Sequence, residues 1–234
     1  MNRRFFTGLA VFGGAWAVMA RPWTWFLAPS LEFEPMQELA PFRRLVGGGE
    51  VSGGAAGAVL LGLDAPAPVD PGLEAALRAD LTGALWGDWE GGGPVPVTYF
   101  TDIQCPICRV MEARLAALDG VHVVTREYPV FGEASERAAR AVLAAGLQGA
   151  AEAMRARLQR SRVVSVGGMG LDAERFAVDF EGPEVAARLA EDRALARIFG
   201  LPGTPALVVG RTRVVGLVGA DVLEALVAEE APGL

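Results

Sequence analysis

Cys105-Pro106-Ile107-Cys108 constrains this chain more than any other stretch of it. These are its only two cysteines, and just two residues separate them. The preceding segment, Val95-Pro96-Val97-Thr98-Tyr99-Phe100, reads as a buried strand, and the following one, residues 109–118, as a helix. A C-x-x-C pair at a strand-to-helix junction suits thiol–disulfide chemistry. The start of a helix offers unpaired N–H groups and a partial positive charge. Both favour a thiolate on Cys105, which is expected to be the more exposed of the two cysteines, and the thiolate is the nucleophile in exchange. Cys108 is near enough to attack a mixed disulfide and release the product.

Three plainer readings compete. Half of a zinc site would need about four ligands, and the chain adds only His122 to its cysteines; no metal is expected. A purely structural disulfide closing so short a loop would stabilise by about 2 kcal/mol, which a chain with a sizeable core hardly needs. Two inert buried thiols are the third reading. Pro106 counts against chance adjacency, because it stands at the helix start, where proline is well tolerated.

With 234 residues, 52% of them hydrophobic, the chain can hold one domain of fair size plus an extension. Its net charge of −7 excludes the basic footprint of a nucleic-acid binder. Acidity alone names no partner and fits a solvated surface. Asn2-Arg3-Arg4 is a short basic region, and residues 5–20 are apolar and uncharged. Ala15-Trp16-Ala17 and Val18-Met19-Ala20 are small-x-small cleavage candidates. Residues 1–20 are therefore predicted to be a signal peptide or an N-terminal anchor. Trp23, Trp25 and Phe26 suit a membrane interface, so an anchor would run over residues 5–27. Against anchoring, the apolar run is short of the roughly 20 residues of a span, and Arg21 interrupts it. Export to the periplasm, an oxidising compartment, agrees with a redox C-x-x-C and no other cysteine.

Residues 21–93 read as an N-terminal extension, within which residues 30–89 leave room for an interaction role or a dimer interface. Within it, residues 28–40 look extended or loosely structured, residues 42–46 a short strand, and residues 73–85 one helix opening at Asp70-Pro71. Gly91-Gly92-Gly93-Pro94 separates the extension from a domain over residues 94–234. There a second strand, residues 121–128, stops at Pro129. Helices follow over residues 135–145, 150–160, 172–180 and 183–198, a helical block at about 133–199. Strands over 206–209 and 214–218 and a helix over 221–228 close the chain. The pattern is α/β, a mixed sheet flanked by helices.

Gly203-Thr204-Pro205 stands just before the strand at 206–209. Proline cannot donate to a sheet ladder, so it belongs at a strand start. A cis bond there would leave backbone groups of Thr204 free to pair with an extended substrate.

Residues 99–108, Tyr-Phe-Thr-Asp-Ile-Gln-Cys-Pro-Ile-Cys, resemble the active-site segment of DsbA-family thioredoxin-fold proteins. Val124-Thr125-Arg126-Glu127-Tyr128-Pro129-Val130 resembles their next strand, and residues 199–206, Phe-Gly-Leu-Pro-Gly-Thr-Pro-Ala, their cis-proline loop. The resemblance covers roughly residues 90 to 230 and implies a thioredoxin fold with an inserted helical domain. It implies Cys105 as the attacking thiol, Cys108 as the resolving thiol and Pro205 as the cis-proline facing them. Pro106, Ile107 and Thr204 become the expected substrate-binding residues. It also implies thiol- or disulfide-containing protein substrates and a membrane or soluble redox partner, with no cofactor.

Two departures matter. The family's oxidase prototype has histidine at the position of Ile107, and isoleucine cannot supply an imidazolium to hold the thiolate. Many thioredoxin-fold proteins bury an acid six residues before the first cysteine, where this chain has Tyr99. A phenol is a poorer proton carrier near neutral pH. Asp102 and Glu127 are candidate substitutes, but each reads first as a solvated charge, and His122 reads as structural. Two functions follow as expectations: an exported enzyme that makes, breaks or shuffles disulfides, or a non-catalytic binding module or chaperone on the same scaffold.

Overall fold

Six strands form one sheet in the computed structural model, which describes residues 29–49, 51 and 70–233. The predicted signal peptide or anchor lies outside the described residues, as do Trp23, Trp25 and Phe26. The strands are β1 (Phe33–Pro35), β2 (Arg43–Leu45), β3 (Val95–Thr101), β4 (Val121–Glu127), β5 (Ala206–Val209) and β6 (Thr212–Val215). Their order across the sheet is β1-β2-β6-β5-β3-β4. β3 is buried along its whole length, as its apolar composition predicts. It pairs parallel with β4, with Val95 opposite Val121, and antiparallel with β5, with Phe100 opposite Ala206. The segments carrying the C-x-x-C and the Thr204-Pro205 turn are thus neighbours in one sheet.

Eight α-helices accompany the strands among the described residues: α1 (Pro71–Ala79), α2 (Leu81–Trp86), α3 (Pro106–Ala116), α4 (Glu133–Gly146), α5 (Ala151–Ser161), α6 (Ala173–Glu181), α7 (Pro183–Ile198) and α8 (Ala220–Glu230). The helical block α4 to α7 is inserted between β4 and β5, where the sequence places it. Its core is built on small side chains. Ala138, Ala141, Val142 and Ala145 recur at helical spacing on α4 and pack against Met154 and Leu158 of α5, Phe176 of α6 and Val185 of α7. Ile103 of the active-site loop joins this cluster.

Alternation along the strands divides the remaining core between the two sheet faces. Val97 and Tyr99 of β3 with Leu207 and Val209 of β5 pack on Met111 and Leu115 of α3 and on Leu223 and Leu226 of α8. On the opposite face, Phe100, Ala206 and Val208 meet Leu85 and Trp86 of α2 and Leu195 and Phe199 at the end of α7.

Two expectations are corrected in the N-terminal region. Residues 28–40 are not merely a loose lead. They supply β1 and a short 3-10 turn at Gln37–Leu39, and the Ala40–Pro41 peptide that follows is cis. The guanidinium of Arg43 lies over the Phe33 ring at 3.7 Å and reaches Glu230 at 2.7 Å, tying this edge to α8. β2 in turn pairs parallel with β6, Arg43 opposite Thr212. The single helix expected over 73–85 is two, because Asp80 accepts from the Gly83 amide at 3.0 Å and so starts α2 where α1 ends. A side chain that bonds the backbone just ahead of it competes with continuing the helix.

Candidate active site

Cys105 is the N-cap residue of α3, with φ −74° and ψ 114°, and Pro106 fills the first turn. The Cys108 amide donates to Cys105 Sγ at 3.2 Å. This is the helix-terminal donor the sequence places there, and it favours negative charge on that sulfur. On its other side, Cys105 Sγ lies 3.7 Å from the Thr204 carbonyl oxygen. The Thr204–Pro205 peptide is cis. The fold therefore brings Cys105, Cys108, Thr204 and Pro205 together from segments almost a hundred residues apart.

One expectation fails. Cys105 is not the more exposed cysteine, since both residues are 0% exposed. Pro106 is exposed and Ile107 half-buried, so this dipeptide forms the outer surface over the sulfurs. Burial pushes the Cys108 thiol well above the usual cysteine range, and the hydrogen bond with Cys105 adds to the effect. Cys105 is just as buried, so what sets the two sulfurs apart is the helix terminus, which favours charge on Cys105, and the Cys105 sulfur, which further disfavours charge on Cys108. That is the asymmetry which attack by one sulfur and resolution by the other require.

Tyr99, at the position where many thioredoxin-fold proteins bury an acid, is itself buried, and its hydroxyl donates to the Cys108 carbonyl at 2.9 Å. Burial raises its ionisation far out of reach, so it acts as a positioning donor. Asp102 and Glu127 are not solvated charges, being 3% and 1% exposed. Asp102 accepts from the amides of Gln104 and Val130, each at 2.7 Å, and from the Ser135 hydroxyl at 2.8 Å. Its carboxylate thereby fastens the loop leading to Cys105 onto the entrance of the helical insertion. Glu127 pairs with the buried Arg155 of α5. Burial pushes its carboxyl up to about 7 against the opposing pull of Arg155. His122 stands exposed on β4, opposite Pro96 and so at the far end of β3 from the cysteines.

Glu112 escaped the sequence reading although a signal existed. It stands four residues after Cys108 on α3, and that spacing puts both on one helix face. Thr101 Oγ1 donates to Glu112 at 3.4 Å, Gln159 of α5 donates to its other oxygen, and burial raises its carboxyl. Arg155 gave no local signal, because its partner Glu127 lies on another element. Among the described residues there is no cluster of metal-ligating side chains.

Comparison with known proteins agrees with this geometry. Residues 96–229 match the DSBA-like thioredoxin domain, more than half of the chain. No curated protein is a significant match. Among solved structures, a thioredoxin-like oxidoreductase from Silicibacter pomeroyi DSS-3 is 33% identical, with a TM-score of 0.54, over 65% of this chain and 99% of that one. The catalytic domain of Proteus mirabilis ScsC is 26% identical, with a TM-score of 0.50, over 68% and 98% of the respective chains. The thiol-disulfide exchange protein alpha-DsbA2 of Wolbachia pipientis, 21% identical over 67% and 95% with a TM-score of 0.56, shares the fold. A C-x-x-C at the head of α3, a sheet of thioredoxin topology and helices inserted between β4 and β5 are thus accounted for together: the chain belongs to the DsbA-like thioredoxin-domain family of thiol:disulfide oxidoreductases.

Proposed function

We propose that this protein is exported and catalyses disulfide formation, reduction or exchange in periplasmic proteins through Cys105-Pro106-Ile107-Cys108. The observation that carries the reading is the seat of Cys105 Sγ, between the Cys108 amide at 3.2 Å and the Thr204 carbonyl at 3.7 Å. In the reducing direction, the Cys105 thiolate attacks one sulfur of a substrate disulfide. A Cys105–substrate disulfide forms and the other substrate sulfur leaves as a thiolate, which takes up a proton. Cys108 then loses its proton and attacks Cys105 Sγ. The second substrate thiol departs, and the protein carries the Cys105–Cys108 disulfide in place of the substrate's. Two electrons have passed to the substrate, and the oxidising direction is the same sequence reversed.

Thr204 and Pro205 support a docking role, since the Thr204 carbonyl faces the attacking sulfur where an extended substrate segment would lie. Pro106 and Ile107 are the surface that a bound segment would cover. Export rests on the basic and apolar residues 1–20, and an oxidising compartment agrees with a redox C-x-x-C and no other cysteine. No helix among the described residues is long and apolar enough to cross a membrane. The test is exchange itself. The reduced full-length protein is expected to accelerate reduction of insulin disulfides, or its oxidised form to oxidise a dithiol peptide. Absence of both activities would leave the binding-module reading in its place.

Ile107 sets the poise. It brings no cation or donor to Cys105, so the thiolate there depends mainly on the helix terminus. Ile107→His is expected to make the protein a stronger oxidant by tens of millivolts, since an imidazolium would stabilise the reduced, thiolate form and about 30 mV is a tenfold change in the equilibrium. Equilibration with glutathione measures this without any protein substrate. An unchanged or lower potential would show that charge beside the Cys105 thiolate is not what sets the poise.

A further inference from the structure

A cavity of about 360 Å³ opens between the active-site loop and the helical insertion. That is the low end of the range of ligand clefts, roughly 300–1,000 Å³. Its apolar lining comes from Ile103 of the loop, Leu158 of α5, Phe180 of α6 and the valines Val163 and Val164 that follow α5. Val163 is 60% exposed and Val164 38% exposed, unusual for large aliphatic side chains that the core could have taken. Arg162, just before them, is the one non-glycine residue with positive φ among the described residues, at 54°. It ends α5 in a conformation usually given to glycine or asparagine, and this turn presents the two valines to the cavity.

The polar groups of the lining are Gln104, Arg137 and Arg162, and no carboxylate is among them. Arg162 donates to the side chain of Gln104, which is the residue immediately before Cys105. A guanidinium has five donors, so that bond leaves others for a ligand. Arg137 has Glu133 at 4.0 Å, but both side chains are well exposed, and such a solvated pair is weak. A chain of net charge −7 thus gathers two arginines at the mouth of an apolar cavity one residue from its attacking thiol.

We infer that this cavity is a substrate subsite of the exchange centre. It takes an apolar side chain close in sequence to the substrate's reactive cysteine, with an adjacent carboxylate held by Arg137 and Arg162. The inference rests on the exchange function proposed above and names its substrate class: proteins whose reactive cysteine is flanked by an apolar and acidic pair. Filling the cavity removes Val163, Val164 and the incoming side chain from water, which drives the contact. Arginine binds a carboxylate through paired donors, which fixes the register of the substrate beside Cys105.

The test uses the full-length reduced protein and three cysteine peptides, each as a mixed disulfide with 2-mercaptoethanol. They differ only beside the cysteine, carrying Leu-Glu, Leu-Lys or Ser-Gln. Each exchange rate is divided by that of bis(2-hydroxyethyl) disulfide, an uncharged probe too small to reach the cavity, measured with the same protein. The Leu-Glu peptide is expected to lead the Ser-Gln peptide by about tenfold, the effect of burying one aliphatic side chain, and to lead the Leu-Lys peptide in a salt-sensitive way. In the Arg137→Glu/Arg162→Glu variant the order of the Glu and Lys peptides should reverse. In Val163→Ser the advantage of leucine over serine should shrink. Equal normalised rates for all three peptides, or a Glu-to-Lys ratio that charge reversal leaves unchanged, would overturn the subsite while leaving the exchange function standing. If the uncharged probe does not react either, the exchange function falls, and the subsite falls with it.

Discussion

Cys105→Ser is expected to reduce disulfide exchange to the rate without protein, whereas Cys108→Ser should accumulate covalent complexes with substrates. The two cysteines are equally buried, so any difference between them reports their electrostatic settings rather than access. The Cys105 sulfur accepts from an amide at the head of α3, in the positive field of the helix terminus. Burial opposes ionisation of the Cys108 thiol, but Cys105 is as buried, so the difference rests on that amide and on the Cys105 sulfur, which further disfavours charge on Cys108. Cys105 should therefore react first with an alkylating agent at mildly acidic pH. Serine at 108 removes the group that resolves the Cys105–substrate disulfide, so that intermediate persists until an external thiol cleaves it. Non-reducing electrophoresis after incubation with an unfolded protein that carries disulfides reads the trapped species directly: Cys105 attacks one substrate sulfur and the other leaves as a thiol. Equal alkylation rates of the two thiols, or full activity of Cys105→Ser, would sink the assignment of roles.

The elements that carry this chemistry were legible because their signals are local. A run of buried β-formers leads into β3, proline stands in the first turn of α3, and proline stands just before β5. Each is read within about ten residues, and alternation along β3 and β5 sorts their side chains between the two sheet faces. What stayed hidden depends on partners far away in sequence. Asp102 looks like a surface charge until Val130 and Ser135 close on its carboxylate. Nothing in residues 28–40 announces a strand, because among the described residues β1 pairs with β2 alone, which itself pairs with β6. The equal burial of the cysteines has the same origin. Thr204, ninety-nine positions from Cys105, brings its carbonyl to that sulfur, and no local pattern foretells how closely two such segments approach. Asp80 is the exception, a local competitor for backbone amides whose helix-breaking effect its type and position could have suggested.

Arg155→Met is expected to destabilise the protein by about 3–5 kcal/mol at pH 8, the usual cost of leaving a buried charge without its partner, and by clearly less at pH 5. Arg155 and Glu127 are both almost inaccessible and join α5 of the insertion to the end of β4, next to the active-site loop. Burial on its own would lower the ionisation of Arg155, but the charges and hydrogen bonds of Glu127 and Glu152 outweigh it, so the guanidinium stays charged. Burial raises the Glu127 carboxyl from 4.5 to about 7 even with Arg155 in place, and the nearby Asp192 and Asp102 add to the rise. The folded state therefore holds the Glu127 proton more tightly than the unfolded chain does. The stability linked to that proton is fully present below the unfolded value and is lost as pH rises through about 7. Above that pH Glu127 is an anion that needs Arg155. Near pH 5 it is largely neutral, and losing the guanidinium strands no charge. The double variant Glu127→Met/Arg155→Met should recover most of the loss at pH 8, because an apolar pair of similar volume is often as stable as a buried ion pair. Urea unfolding of the wild type and the variants at both pH values measures the cycle. A loss in Arg155→Met that is the same at pH 5 and pH 8, or no recovery in the double variant, would mean that Arg155 holds α5 in place by packing rather than by neutralising Glu127.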